Sequence, residues 1–349
     1  MPILLKNLTV AQLQTRLAHV GVTPRLARLL QTAVLRRGAL PAAAANGFSA
    51  RVLDKVRALT AIPELTVVDQ VVSPRDGFAR YVFRGDGPEL FEAVRIPLLH
   101  RPDDPKYVVC VSSQAGCALG CAFCATGRMG FRRNLAAWEI VDQVIRIQAG
   151  APHPVRGVVF MGMGEPLLNY DAVMTAVRIF SEPCGLAIAG KAITLSTVGI
   201  VPALRRFTAE RLACRLVVSL NFANPAQRRA LMPVEAAHPT SELLAALRAY
   251  HAATGRRITL AWTMLSGINT RAQDARDLAE LTRGLPVKLD LIAVNDSTGR
   301  FRPPPPGELS AFRDALRVHL GAPVARRYSG GQDIQAACGM LAAGWAPAV

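Results

Sequence analysis

The spacing of apolar and polar positions divides the chain into three stretches. In the first sixty residues apolar side chains recur every three to four positions, over Leu8 to Leu17, Pro24 to Leu35 and Ala50 to Leu59. That period predicts short amphipathic helices, separated by Gly21 and by the Pro41-Ala-Ala-Ala-Ala-Asn-Gly47 break. From about residue 64 to 97 the period shortens to two, as in Leu65-Thr-Val-Val and Phe78-Ala-Arg-Tyr-Val-Phe, interrupted by Pro74-Arg-Asp-Gly and Gly85-Asp-Gly-Pro. This pattern predicts β-hairpins. Beyond it strand-like and helix-like segments take turns. Strands are expected at 107–112, 156–161, 191–197, 214–220, 257–263 and 287–293, and helices at 136–149, 170–180, 240–253, 271–283 and 308–319. Repeated βα units imply a parallel sheet. An open twisted sheet and a partly closed barrel both satisfy the periodicity, and both place functional loops at the carboxyl ends of the strands. Pro303 to Pro306 reads as a stiff loop before the last helix. The resulting division is a basic helical domain at 1–62, a β-hairpin linker at 63–104 and the main domain at 105–349.

Charge changes this picture by pointing to a partner. The chain of 349 residues carries 41 Lys and Arg against 25 Asp and Glu, a net +16. Residues 1–60 hold nine basic side chains and one acid, Asp54, or +8. Such a field favours a polyanion, nucleic acid ahead of a membrane surface. A general preference for Arg over Lys would produce part of the same excess. No apolar run approaches the roughly 18 to 20 residues of a membrane span, and the start lacks the apolar core of a signal peptide. The expected location is the cytoplasm, where seven cysteines suit metal binding or catalysis better than disulfides.

Three of those cysteines form Cys117-x3-Cys121-x2-Cys124, in the loop after the first strand of the main domain. The spacing lets three thiolates converge on one inorganic centre. Three ligands are one short of a closed site. Either a distant residue completes the shell, as Cys110, Cys184, Cys214 or Cys338 would for zinc, or one position stays open for chemistry. An open iron site is expected. The second strand ends in Met161-Gly-Met-Gly-Glu165-Pro, where glycines let a ligand approach the backbone and a carboxylate suits an ammonium group. Ser196, Ser219, Asn221 and Asn295 recur at later strand ends and are candidates for one shared pocket.

The cysteine spacing, with Phe123 before the third cysteine, resembles the signature of radical S-adenosylmethionine (SAM) enzymes. The resemblance implies a radical SAM partial (β/α)6 barrel in which Cys117, Cys121 and Cys124 hold a [4Fe-4S] cluster whose fourth iron binds SAM. Gly164 and Glu165 resemble the motif that holds the amino group of methionine. More narrowly, the chain resembles the RlmN/Cfr family of adenine-specific RNA methyltransferases. The blocks that carry this are Phe91-Glu92-Ala-Val-Arg-Ile-Pro97, Cys110-Val-Ser-Ser-Gln-Ala-Gly-Cys117, Gly130-Phe-Arg-Arg-Asn-Leu135, Gly162-Met-Gly-Glu-Pro-Leu-Leu168, Leu195-Ser-Thr-Val-Gly199 and Asp333-Ile-Gln-Ala-Ala-Cys338-Gly.

By that resemblance Cys338 accepts a methyl group from one SAM, and a deoxyadenosyl radical from a second SAM removes hydrogen from it. The carbon radical adds to adenine, and Cys110 resolves the thioether, forming a transient disulfide. Glu92 matches the family's proton acceptor. The implied reaction is methylation at adenine C2 in 23S rRNA and tRNA. C8 or a small adenine-containing metabolite is the alternative, and a non-catalytic RNA-binding cluster or zinc protein is a third reading. The implied partners are RNA and a flavodoxin or ferredoxin as electron donor, with the protein a monomer. The basic N-terminal region, Arg132-Arg133 and Arg326-Arg327 are the candidates for holding phosphate. Asn221, Ala293, Asp296 and Tyr328-Ser-Gly-Gly depart from the family pattern, while Cys184 and Cys214 read as structural.

Overall fold

A computed structural model describes residues 1–42, 47–98 and 103–342. Positions 43–46 of the expected break and 99–102 of the expected linker lie outside the described residues. The N-terminal helices are α1 (Val10–Leu17), α2 (Pro24–Arg37) and α3 (Ala50–Leu59). Thr9, Thr23 and Ser49 each cap one by accepting a backbone N–H, a contact worth about 1 kcal/mol. Their apolar faces, including Leu13, Leu17, Leu30, Val34, Leu53 and Val56, close a small core of their own.

That unit is fastened to the rest of the chain by a buried ion pair. Lys6 is 1% exposed and donates to Asp142 at 2.6 Å, while the other Asp142 oxygen accepts the Leu65 N–H at 2.7 Å. A buried charge stripped of its partner is strongly destabilising, so the pair fixes how the two parts meet. Lys6 is therefore not available to a polyanion. The other eight basic residues of the first sixty remain exposed.

Among the described residues, ten strands form one sheet in simple sequential order. β1 (Thr66–Val72), β2 (Ala79–Arg84), β3 (Leu90–Leu98) and β4 (Lys106–Cys110) pair antiparallel. From β4 onward the sheet is parallel through β5 (Val155–Phe160), β6 (Ile193–Thr197), β7 (Arg215–Ser219), β8 (Ile258–Met264), β9 (Val287–Ala293) and β10 (Val324–Arg327). The edge strands β1 and β10 do not pair, so the barrel is open. Connecting helices are α4 (Ala137–Ala149), α5 (Tyr170–Ser181), α6 (Val201–Glu210), α7 (Thr240–Thr254), α8 (Ala272–Leu281) and α9 (Pro306–His319).

The hydrophobic pattern predicted six parallel strands, and the structure adds a seventh. β10 has only four residues, two of them arginine, and shows no alternation to detect. Helix α6 was also missed, because its buried face is the narrow stripe Val201, Leu204 and Phe207. The proline run ends in the helix rather than in the loop, with Pro306 as the first residue of α9, where a missing N–H costs nothing.

Candidate active site

The cysteine loop leaves β4 at the carboxyl edge of the sheet, and neighbouring strands hold it there. Ser112 N–H donates to Gln143 of α4 at 2.8 Å, and Ser113 N–H donates to the Met163 carbonyl at 2.9 Å. Gly164, at φ +95°, packs so closely that a Cβ would meet Gln114 Cβ at 2.5 Å. Only glycine tolerates that contact in that conformation. The β5 loop thereby lies directly against the cysteine loop.

A cavity of about 180 Å³ opens between them. Cys117, Cys121 and Cys124 line one side, and Gly164, Glu165, Ser196, Ser219, Asn221 and Asn295 line the other, as the sequence led us to expect. Burial pushes the Cys117 thiol up to about 12 and raises those of Cys121 and Cys124. A coordinated iron reverses this preference, because a metal-bound thiol gives up its proton. No three His, Cys, Asp or Glu side chains among the described residues are placed to grip a single metal ion. Three cysteines on one cavity, close enough to feel one another's charge, are the donor set an iron-sulfur cluster takes with one position left open.

Glu165 faces this trio from a dry position. It is 3% exposed and accepts the N–H groups of Leu167 and Val198, both at 3.0 Å. Desolvation still pushes its carboxyl up to about 7, and a bound ammonium group would relieve that burial cost. Ser196 and Ser219 meet across adjacent strands at 3.4 Å. Asn221 has the left-handed φ of +59° that asparagine tolerates well, and its Oδ1 accepts the Thr263 N–H at 2.7 Å.

The C-terminal segment reaches this loop from more than two hundred residues away. Ala125 N–H donates to the Gly339 carbonyl at 2.8 Å, and Thr126 Oγ1 donates to the Leu341 carbonyl at 2.6 Å. Asn295 spends its amide on this segment: Nδ2 reaches the Cys338 carbonyl at 3.2 Å and Oδ1 accepts from Gln332 at 2.6 Å. Ser329 Oγ accepts the Cys338 N–H at 3.1 Å.

Cys338 is consequently shared by two spaces. It lines the cavity that bears the cysteine trio and also a larger lumen of about 970 Å³ below it, whose wall includes Cys110. Cys338 adds to the burial that pushes Cys110 up to about 12, with Arg327 opposing. Every cysteine is a free thiol, so the transient disulfide implied by the resemblance is not formed here.

Glu92 lines neither cavity. It is 1% exposed, lies 3.4 Å from Arg80, and accepts the Ala342 N–H at 2.8 Å, four residues past Cys338. Arg133 is also committed elsewhere, to Glu89 at 3.0 Å and Glu139 at 2.7 Å, which corrects its expected role as a phosphate contact. Arg132 and Arg326 are exposed, and Arg327 lies within the lumen, 2.9 Å from Met161 Sδ. Cys214 is buried and Cys184 lies beside Gln31, away from both cavities.

A clamp on the other flank of Cys338 leaves no signal in the sequence. Asp76, in the β1–β2 turn, accepts from Tyr328 Oη at 3.0 Å and from Gly331 N–H at 2.8 Å, and Ser73 Oγ donates to Asp333 at 2.9 Å. The departure Tyr328-Ser-Gly-Gly belongs to this contact, for a Cβ on Gly330 would lie 2.5 Å from both Asp76 and Phe78. Asp296, another departure, pairs with Arg128 at 3.1 Å, and Arg128 donates to the Ala122 carbonyl inside the cysteine loop. Neither partner stands out in the sequence, because Ser73 to Gly77 reads only as a turn.

An open parallel barrel with three cysteines in its first loop and an acidic residue at the end of the next strand defines a radical SAM protein. Residues 111–281 match the family model described as Radical SAM superfamily. A probable RNA methyltransferase of Anaeromyxobacter sp. (strain Fw109-5) is 52% identical over 323 residues, covering 92% of this chain and 94% of that one. The dual-specificity RNA methyltransferase RlmN of Syntrophobacter fumaroxidans is 39% identical over 345 residues, covering 98% of each. The crystal structure of a radical SAM methyltransferase from Sphaerobacter thermophilus superimposes with a TM-score of 0.87 at 37% identity, covering 98% of this chain and 100% of that one. The chain belongs to the RlmN/Cfr family of radical SAM methyltransferases, and with that membership come the [4Fe-4S] cluster and SAM. No helix among the described residues is long and apolar enough to cross a membrane.

Proposed function

We propose that this protein methylates a ring carbon of adenine in RNA, at C2 in 23S rRNA and tRNA, through a methyl group carried on Cys338. The observation that carries the proposal is the position of Cys338 on the wall common to the cluster-side cavity and the lumen that holds Cys110. One thiol therefore meets a methyl donor on one side and a substrate on the other. Relatives named RNA methyltransferases, at 52% and 39% identity, support RNA as the substrate.

The adenine C2 carbon lacks the nucleophilicity for polar methyl transfer, so radical chemistry is required. Cluster and SAM, when bound, supply the methyl group and a radical that abstracts hydrogen. Cys117, Cys121 and Cys124 hold the cluster, and Glu165 receives the ammonium group of SAM. Cys110, a neutral thiol in its buried setting, keeps its proton until it is needed to resolve the thioether on Cys338. Glu92 anchors the segment beyond Cys338 through Ala342. The deciding experiment is mass spectrometry of nucleosides from rRNA and tRNA of cells with and without the gene. Loss of 2-methyladenosine is expected, loss of the 8-methyl isomer would move the reaction to C8, and an unchanged adenosine profile would overturn the proposal.

Glu165 offers a second test. Only its carboxylate pairs with an ammonium group, so SAM affinity should fall as pH drops from 8 through about 7 and the side chain takes up a proton. Glu165→Gln should weaken SAM by at least about tenfold, the lower end for a charged hydrogen bond of about 1.5 to 3 kcal/mol. It should also flatten the pH profile. Calorimetric titration of the reconstituted protein across pH 6 to 8 reads both effects.

A further inference from the structure

Five of the seven parallel strands carry a cation at or just before their amino-terminal end that lines the 970 Å³ lumen: Lys106, Arg156, Lys191, Arg215 and Lys288. Arg327 lines it higher up. Two carboxylates share this wall, and both are occupied: Asp290 with Lys288 at 2.8 Å, and Asp76 with Tyr328 and Gly331. Lys106 pairs with Asp104. Arg156, Lys191 and Arg215 are exposed and form no salt bridge among the described residues.

These three stand on consecutive strands at one rim, opposite the edge that bears the cysteine loop. The sheet register links them to the chemistry. Cys110 pairs with Val159, Val159 with Thr194 and Thr194 with Arg215. Arg215 thus occupies the same row as Cys110, three strand spacings or about 14 Å along the curved wall. Unpaired guanidinium and ammonium groups in an open, largely apolar lumen are free to take phosphate oxygens, because among the described residues no carboxylate on its wall competes for them.

We infer that Arg156, Lys191 and Arg215 hold the phosphates flanking the nucleotide to be methylated. The adenine then enters the barrel from the amino-terminal edge of the strands and meets Cys338 from the face opposite Glu165. This rests on the RNA reading above and relocates the grip, away from the Arg132-Arg133 surface. Drawing a base out of folded RNA costs a few kcal/mol, and contacts on both flanking phosphates would offset that cost and set the strand's register.

The test is fluorescence anisotropy of the full-length, cluster-reconstituted protein with a labelled RNA hairpin bearing a loop adenosine, at about 50 to 200 mM salt. Each of Arg156→Gln, Lys191→Gln and Arg215→Gln should reduce the slope of log affinity against log salt by about 0.7, and the triple variant by about 2. Arg215→Lys should keep the slope, and Arg132→Gln should leave it near the wild type. Iron content and thermal unfolding matched to wild type show that each variant is folded. If the wild type binds RNA with a salt slope and the triple variant retains it, the rim is not the phosphate site while the RNA reading stands. If the wild type itself shows no salt-dependent binding, the RNA reading falls and takes this inference with it.

Discussion

Replacing Cys338 with alanine is expected to lower methylation by at least about a thousandfold, a barrier increase of about 4 kcal/mol. Cleavage of SAM, followed as 5′-deoxyadenosine, should survive. The expectation follows from where the side chain sits. The segment is held by Asn295 and Ser329 around Cys338, by Ala125 and Thr126 just beyond it, and by Asp76 and Ser73 before it. Almost all of these contacts use backbone groups of the segment, so losing one sulfur should leave its path unchanged. The cluster-side cavity, lined also by Glu165, Ser196 and Ser219, should keep its shape. Methylation of RNA by the alanine variant at an appreciable fraction of the wild-type rate would show that another atom carries the methyl group.

The Cys110→Ala variant should fail at a different stage and accumulate a covalent complex of protein and RNA. Cys110 ends β4 with its thiol on the lumen wall, and burial pushes it up to about 12, so it rests as a neutral thiol at pH 7. Attack on a sulfur requires the thiolate. Product release through Cys110 should therefore speed up as pH rises above neutrality, where more thiolate forms. Without this thiol, RNA joined to Cys338 has no partner to free it. Denaturing gels with labelled RNA should show a slow band that nuclease trims to the mass of protein plus nucleotide. A variant that turns over freely, with no such band, would remove Cys110 from the reaction.

Local order alone revealed a large part of this protein. A 3.6-residue period in the N-terminal helices, a two-residue period over residues 64–97 and their alternation afterwards follow from which faces must be buried, so the α/β barrel was legible. The cysteine trio was legible too, since three side chains that line one cavity from a single loop must lie close in the chain. Glu165 and the serines of β6 and β7 could be placed because parallel strands deliver their carboxyl ends to one edge. The weak elements were not legible: β10 shows no alternation and α6 buries only a thin stripe.

Pairings between distant segments were decided by the tertiary structure. Asn295 lines the cavity that bears the cysteine trio, yet its amide is spent on the loop of Cys338. Glu92 matches a family motif but grips Ala342, and Arg133 and Lys6, each of which looked available to phosphate, are consumed by carboxylates. Arg156, Lys191 and Arg215 lie about sixty residues apart from first to last and become a group only because consecutive strands start at one edge. The sequence determined which chemical groups the protein owns and the periods that fold it. Which of those groups stay unpaired, and what they face, depends on contacts between residues far apart in the chain, which no local pattern encodes.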